Sequence, residues 1–107
     1  MAEIIFKPRI FKKVVAAAAT REKLTSNKVR TPSVVIQAEV SNTGQIYVGD
    51  DQVAAAKTGI ELDSGDAITL TAPNVGDSLS MISLEDVWVD SSVSTDGMWV
   101  TYLERVA

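Results

Sequence analysis

Cysteine and histidine are both absent from the 107 residues of this chain. Without cysteine there is neither a disulfide framework nor a thiolate zinc site. Without histidine the usual general base and the commonest transition-metal ligand are missing. Most familiar hydrolase and oxidoreductase constellations go with them, so the reading expects no enzyme and no cofactor. Aromatic side chains are few, with two each of Trp, Tyr and Phe. Long apolar runs are also missing: the longest, Val14 to Ala19, has six residues, four of them alanine. That falls far short of the ~20 residues of a membrane span, and the opening MAEIIFKPRIFKK has no signal-peptide core. The expectation is a soluble chain made in a cytoplasm, with no membrane partner.

What is present describes a folded domain. At 46% hydrophobic residues the chain is too apolar for a disordered tail. Its length suits one domain that buries roughly two thirds of its unfolded surface. The net charge of −4 conceals a division. Residues 1–30 carry eight bases against two acids, whereas residues 31–107 carry two bases against twelve acids. This pattern is read as an extended basic N-terminal arm (1–30) running into a first strand, attached to an acidic body (31–107). Phe6, Lys7, Arg9, Phe11, Lys12 and Lys13 are its candidate partner-binding residues. The arm could dock on an acidic protein surface, including another copy of the chain, or could be a solvated edge that balances the body. Nucleic acid ranks last, because no aromatic–basic repeat is present and the acidic body repels a polyanion.

Local pattern points to an all-β fold. Val, Ile and Thr make up 31 residues, and branched side chains fit a pleated surface better than a helical turn. Turn signals recur at Asn42-Thr43-Gly44, Gly49-Asp50-Asp51, Asp63-Ser64-Gly65-Asp66, Pro73-Asn74-Val75-Gly76 and Asp96-Gly97. Between them the segments alternate. Val34, Ile36, Ala38 and Val40 share one face, as do Ile46 and Val48, Ile68 and Leu70, and Val87 and Val89. Strands with one dry face at this spacing predict an antiparallel β-sandwich, jelly-roll-like in architecture. Phe11 to Leu24 also carries helical spacing, but an extended arm entering a strand near residues 12–25 is preferred, because Lys12 and Lys13 would oppose a helix dipole. Gln52 to Lys57 reads as one helical turn or a loop.

Candidate chemistry is thin. Asp50, Asp51, Asp63 and Asp66 sit at turns, where aspartate serves local hydrogen bonding, and they define no catalytic carboxylate pair or calcium loop. No phosphate-binding glycine motif occurs, and the serines lack a histidine to activate them. The tryptophans are more informative. Trp88 shares a face with Asp86 and Asp90. In MWVTYL, Met98, Val100 and Tyr102 occupy one face while Trp99, Thr101 and Leu103 occupy the other, so this strand should be covered on both sides. The cover is either the arm or a loop of the same chain, or a subunit interface anchored by Trp88 and Trp99.

The stretch VVIQAEVSNTGQIYVGDDQVAAAKTGIELDSGDAITL resembles a group of small virion proteins of tailed bacteriophages. In these a strand like VVIQA passes through a turn like NTG into IYVG, followed by GIEL, an acidic glycine turn and a further strand. LEDVWVDSSVSTDGMWVTYLERV is similar to their closing strand pair. The resemblance covers roughly residues 33–105 and does not extend over residues 1–30. It implies a jelly-roll-like sandwich in the virion, best fitted to a cement or decoration protein that oligomerises and binds the major capsid protein. Neck, tail or fibre components share such folds. The competing reading is a carbohydrate or host-surface binding module using Tyr47, Trp88 or Trp99 beside Asp.

Overall fold

The computed structural model describes residues 3–73 and 80–106. Ten antiparallel strands are present among them, and no α-helix. They are β1 (Phe6–Val14), β2 (Glu22–Lys23), β3 (Arg30–Thr31), β4 (Ser33–Ala38), β5 (Ile46–Gly49), β6 (Ile60–Leu62), β7 (Ala67–Thr71), β8 (Ile82–Ser83), β9 (Trp88–Ser91) and β10 (Gly97–Arg105). A single 3₁₀ turn covers Leu84–Asp86. The turn expected at Pro73 to Gly76 lies, from Asn74 onward, outside the described residues.

Eight strands form two four-stranded sheets, a first in the order β1-β10-β4-β7 and a second in the order β2-β9-β5-β6, while β3 and β8 pair separately. The pairing is nested. Phe6 lies opposite Arg105 and Val14 opposite Gly97; the same ribbon continues through Val15 N–H to Asp96 C=O (3.0 Å) and Ala19 N–H to Ser91 C=O (3.1 Å). It ends with Glu22 opposite Val89 in the second sheet. Inside it, β4 pairs with β7 and β5 with β6. Rolling the two ribbons together brings β10 beside β4 and β9 beside β5. Every strand is antiparallel to its neighbour.

The period-two faces pack as expected except at Val40, which lies beyond the end of β4 and is 81% exposed. Val34, Ile36 and Ala38 on β4, Met98 and Val100 on β10, and Ile46, Val48, Leu62 and Val89 from the second sheet form one buried cluster between the sheets. Burial of each of the Val, Ile, Leu and Met side chains contributes about 1.5–3 kcal/mol. The turn aspartates do the local work foreseen for them. Asp50 Oδ1 accepts the Gln52 N–H at 2.9 Å, and Asp66 Oδ2 accepts the Asp63 N–H at 3.1 Å.

Two features depart from local pattern, and a third settles a choice it left open. Residues 12–25 are neither one strand nor a helix: β1 ends at Val14, residues 16–19 turn the corner between sheets, and β2 resumes at Glu22. Small side chains allow this corner, where Ala19 takes a positive φ of 59°. Residues 6–14 are no detached tail but a nine-residue edge strand paired along the whole of β10, with Phe11 edge-to-face against Tyr102. The QVAAAK segment is a loop, anchored by buried Val53 and by Ala54 paired with Thr58. It folds over the second sheet, which buries Tyr47 and Asp90 on a face that alternation alone assigns to solvent. Among the described residues no helix is long and apolar enough to cross a membrane.

Candidate docking face

Among the described residues nothing covers the outer face of the first sheet. β1 is held to β10 through its odd-numbered residues, as the flanking bonds Val106 N–H to Ile5 C=O (2.8 Å) and Val15 N–H to Asp96 C=O (3.0 Å) show. Its even-numbered residues therefore point their side chains outward, with Pro8, Ile10 and Lys12 opposite Leu103, Thr101 and Trp99. β4 adds Val35 and Gln37 to this face. Among the strand positions on it, only Lys12 and Arg105 are charged. Ile10 is 64% exposed and Trp99 42%. With Val35, Gln37 and Thr101 they line a shallow groove of about 250 Å³. A flat, aromatic and charge-depleted surface is what a protein interface requires at its centre.

Among the described residues β10 is thus covered on one side only, not on both. The N-terminal segment lies beside it as β1 rather than over Trp99, and among the described residues no loop crosses that ring.

The basic residues of β1 meet acids of their own chain. Arg9 Nε lies 2.6 Å from Glu104 Oε2, Lys12 Nζ 2.9 Å from Glu39 Oε1, and Lys13 Nζ 2.8 Å from Glu22 Oε1. The Lys12 ammonium also lies 5.9 Å from the centre of the Trp99 ring. The Lys13 hydrogen bond, helped by the Ala16 N–H and by the Lys13 charge, outweighs burial and holds the Glu22 carboxyl below the usual carboxylate range. Lys7 is exposed and has no acidic partner among the described residues. Among the described residues four of the eight bases of residues 1–30 are thus in ion pairs, Arg30 with Glu85 among them, and three of the four use acids of the body. The asymmetry seen in the sequence is reduced, but the segment stays net basic. Phe6 and Phe11 are half-buried and point to opposite sides of β1. Phe11 joins the core and Phe6 the outer face.

Trp88 sits apart from this face, on the outside of the second sheet. It is half-buried, with the Lys23 ammonium 5.9 Å from its ring centre. The neighbouring Asp90 carboxylate lies on the same outer face beneath the Gln52–Lys57 loop and accepts the Ala55 N–H at 3.0 Å. Tyr47, 5% exposed, donates its hydroxyl to Glu61 Oε1 at 2.7 Å. That bond, with burial and the Glu61 charge, raises the phenol above its ordinary value. The aromatic–Asp combinations singled out in the sequence are therefore occupied internally, whereas Trp99 is open.

No protein-family model matches this chain. No curated protein matches it either. The face must be read from its own chemistry.

That chemistry includes parts local patterning misses. Ile10 and Val35 belong to the open groove. Glu22, Glu39 and Glu104 neutralise β1, and the choice of partner depends on the nested register rather than on sequence distance. Asp96 is a further hidden anchor. Only 7% exposed, it accepts the Thr43 and Gly44 N–H groups at 3.3 and 2.8 Å. This locks the turn that carries the chain from β4 to β5.

Proposed function

We propose that this chain is a non-enzymatic virion structural protein, a cement or decoration protein that seats the outer face of its first sheet on a capsid shell. The observation that carries the reading is the charge-depleted groove around Ile10 and Trp99. An exposed patch of this kind on a small domain marks a surface meant for a partner. The likeness of residues 33–105 to small tailed-phage virion proteins supports the partner class, the major capsid protein. The nested strand order supports a jelly roll as the finer fold. With β3 and β8 set aside, the eight strands pair first with eighth, second with seventh, third with sixth and fourth with fifth, the plan of a rolled double ribbon.

In this reading the basic N-terminal segment acts as the rim of the docking surface. Lys12 and Glu39 neutralise each other beside Trp99, so seating the centre of the face on the shell strands no lone buried charge there, which would be costly. Trp99 and Ile10 are the anchors, and many copies on a symmetric shell add their contacts through avidity. Lys7, Arg9 and Lys13 lie off the centre of the face and contribute at its margin, whereas Trp88, on the outside of the second sheet, takes no part in it.

The test is the copy number of the chain per purified particle, by quantitative mass spectrometry against the major shell protein. Hundreds of copies in simple ratio to that protein are expected. A handful, matching one ring, would move the protein to the neck, tail or fibre. Absence from the particle would overturn the virion reading.

A further inference from the structure

The two long sides of the sandwich carry opposite charge. On one side lie the edges β1 and β2, where residues 6–23 hold six bases and one acid; Glu104 and Glu39 offset Arg9 and Lys12, and the side remains net positive. On the other lie β6 and β7, where residues 59–71 hold three acids, Glu61, Asp63 and Asp66, and no base. None of these three acids has a cationic partner among the described residues. Among the described residues both sides also end in strands with no further neighbour. The even-numbered residues of β1 turn their backbone groups to the free edge. On β7 the bonds Ala38 N–H to Asp66 C=O and Ala72 N–H to Pro32 C=O (both 2.9 Å) assign even residues to β4. Ala67, Thr69 and Thr71 therefore face the opposite edge.

We propose that these two edges are made for each other, and that copies of this chain associate head to tail, β1 of one against β7 of the next. Direction agrees: with four strands alternating in each sheet, a neighbour brought up in the same orientation sets β7 antiparallel to the adjoining β1. The same holds for β6 and β2. Face agrees, since the residues that would pair across the joint, β1 even and β7 odd, both carry their side chains on the outer face. Length agrees as well. Pro8 lacks a donor and blunts the first half of β1, leaving Ile10–Val14 to match the five residues Ala67–Thr71. In that register Val14, Lys12 and Ile10 meet Ala67, Thr69 and Thr71. A two-fold pairing of β1 with β1 is disfavoured, because it sets basic strand on basic strand. The joint is thus heterologous and builds a ring or an open row, extending the first sheet from copy to copy. It leaves the Trp99 face uncovered, so it stands independently of the shell reading.

The experiment follows self-association of the full chain by sedimentation equilibrium up to about 1 mM, a range that captures weak association, in low and high salt. Association that weakens with salt is expected; a monomer throughout overturns the proposal. Ile10→Pro closes only the β1 edge and Thr69→Pro only the β7 edge, each at an N–H that points to solvent. Each variant alone should be monomeric, and their equimolar mixture should form dimers and nothing larger. A single variant that still associates like the unmodified chain refutes the head-to-tail joint. If a proline variant loses its native circular dichroism, Lys23→Glu serves in its place, because the β2 edge that carries it would adjoin Glu61 on β6 of the next copy. It is expected to raise the dissociation constant at least about tenfold, a change of about 1.4 kcal/mol. No change would count against the charge pairing.

Discussion

Replacing Trp99 by alanine separates the docking face from the fold. A tryptophan can bury up to about 250 Å². With 42% of Trp99 exposed, docking has about 100 Å² left to cover. At about 25 cal/mol per Å², that burial contributes about 2.5 kcal/mol, the range of an interface hot spot. Trp99→Ala should therefore weaken binding to shells lacking the protein by about 60-fold. The fold should survive, because the ring lies outside the core cluster; a cross-strand loss of about 1 kcal/mol is small against the usual 5–15 kcal/mol. The assay is co-sedimentation of purified chain with emptied shells over a concentration series, with urea melts run in parallel. A variant that melts near the normal midpoint yet binds within threefold of the unmodified chain would show that the exposed ring is not an anchor.

Other consequences concern the fold itself. Asp96→Ala removes the acceptor for two N–H groups, one of them buried, and should cost about 3 kcal/mol, lowering the urea midpoint by roughly 2 M. Asp96→Asn, which keeps one acceptor oxygen, should lose about half of that. Glu22 has a lowered folded-state pKa, so its contribution is full above the unfolded value near about 4.3 and disappears as pH falls through the lowered one. Thermal melts from pH 7 to 3 should show a shallower acid slope for Glu22→Gln. Tyr47 has a raised folded-state pKa, so stability should decline above about pH 10, where only the unfolded phenol ionises. Tyr47→Phe should remove that alkaline loss in melts at pH 9–11. Ala56 adopts a φ of 62°, and Ala56→Gly should raise stability by about 0.5–1 kcal/mol in the same urea assay.

Much of this fold was legible locally, for a definite reason. A strand with one dry face writes its own period of two, so Val34, Ile36 and Ala38 declared their common side without reference to the rest of the chain. Trp99 was legible in the same way, as the bulky residue opposite Met98 and Val100. What stayed hidden depends on distant contacts. Tyr47 and Asp90 read as outward residues, and only the loop around Val53, folding back over β5 and β9, buries them. The alanines after Val15 fit a helix or a strand equally well. Their role as a corner follows from the bonds that Val15 and Ala19 make to the segment before β10. The basic segment looked like a free arm because its neutralising acids, Glu22, Glu39 and Glu104, are scattered along the chain. Charge runs are visible in sequence; charge pairs across a sheet are not.

The nested ribbon also governs how the domain responds to force. The start of β1 and the finish of β10 lie side by side, Phe6 opposite Arg105. Tension applied at these two points opens the ribbon like a zipper, one rung at a time, and each rung resists alone. Tension applied across the sheet faces instead loads several strands together, and their hydrogen bonds must fail in concert. The same nine-residue pairing is therefore weak in one direction and strong in the other. A peptide fused beside Phe6 or Arg105 leaves the domain from a single corner, which suits those positions to carrying cargo. Mechanical strain is better borne by the broad faces, where the Trp99 surface lies.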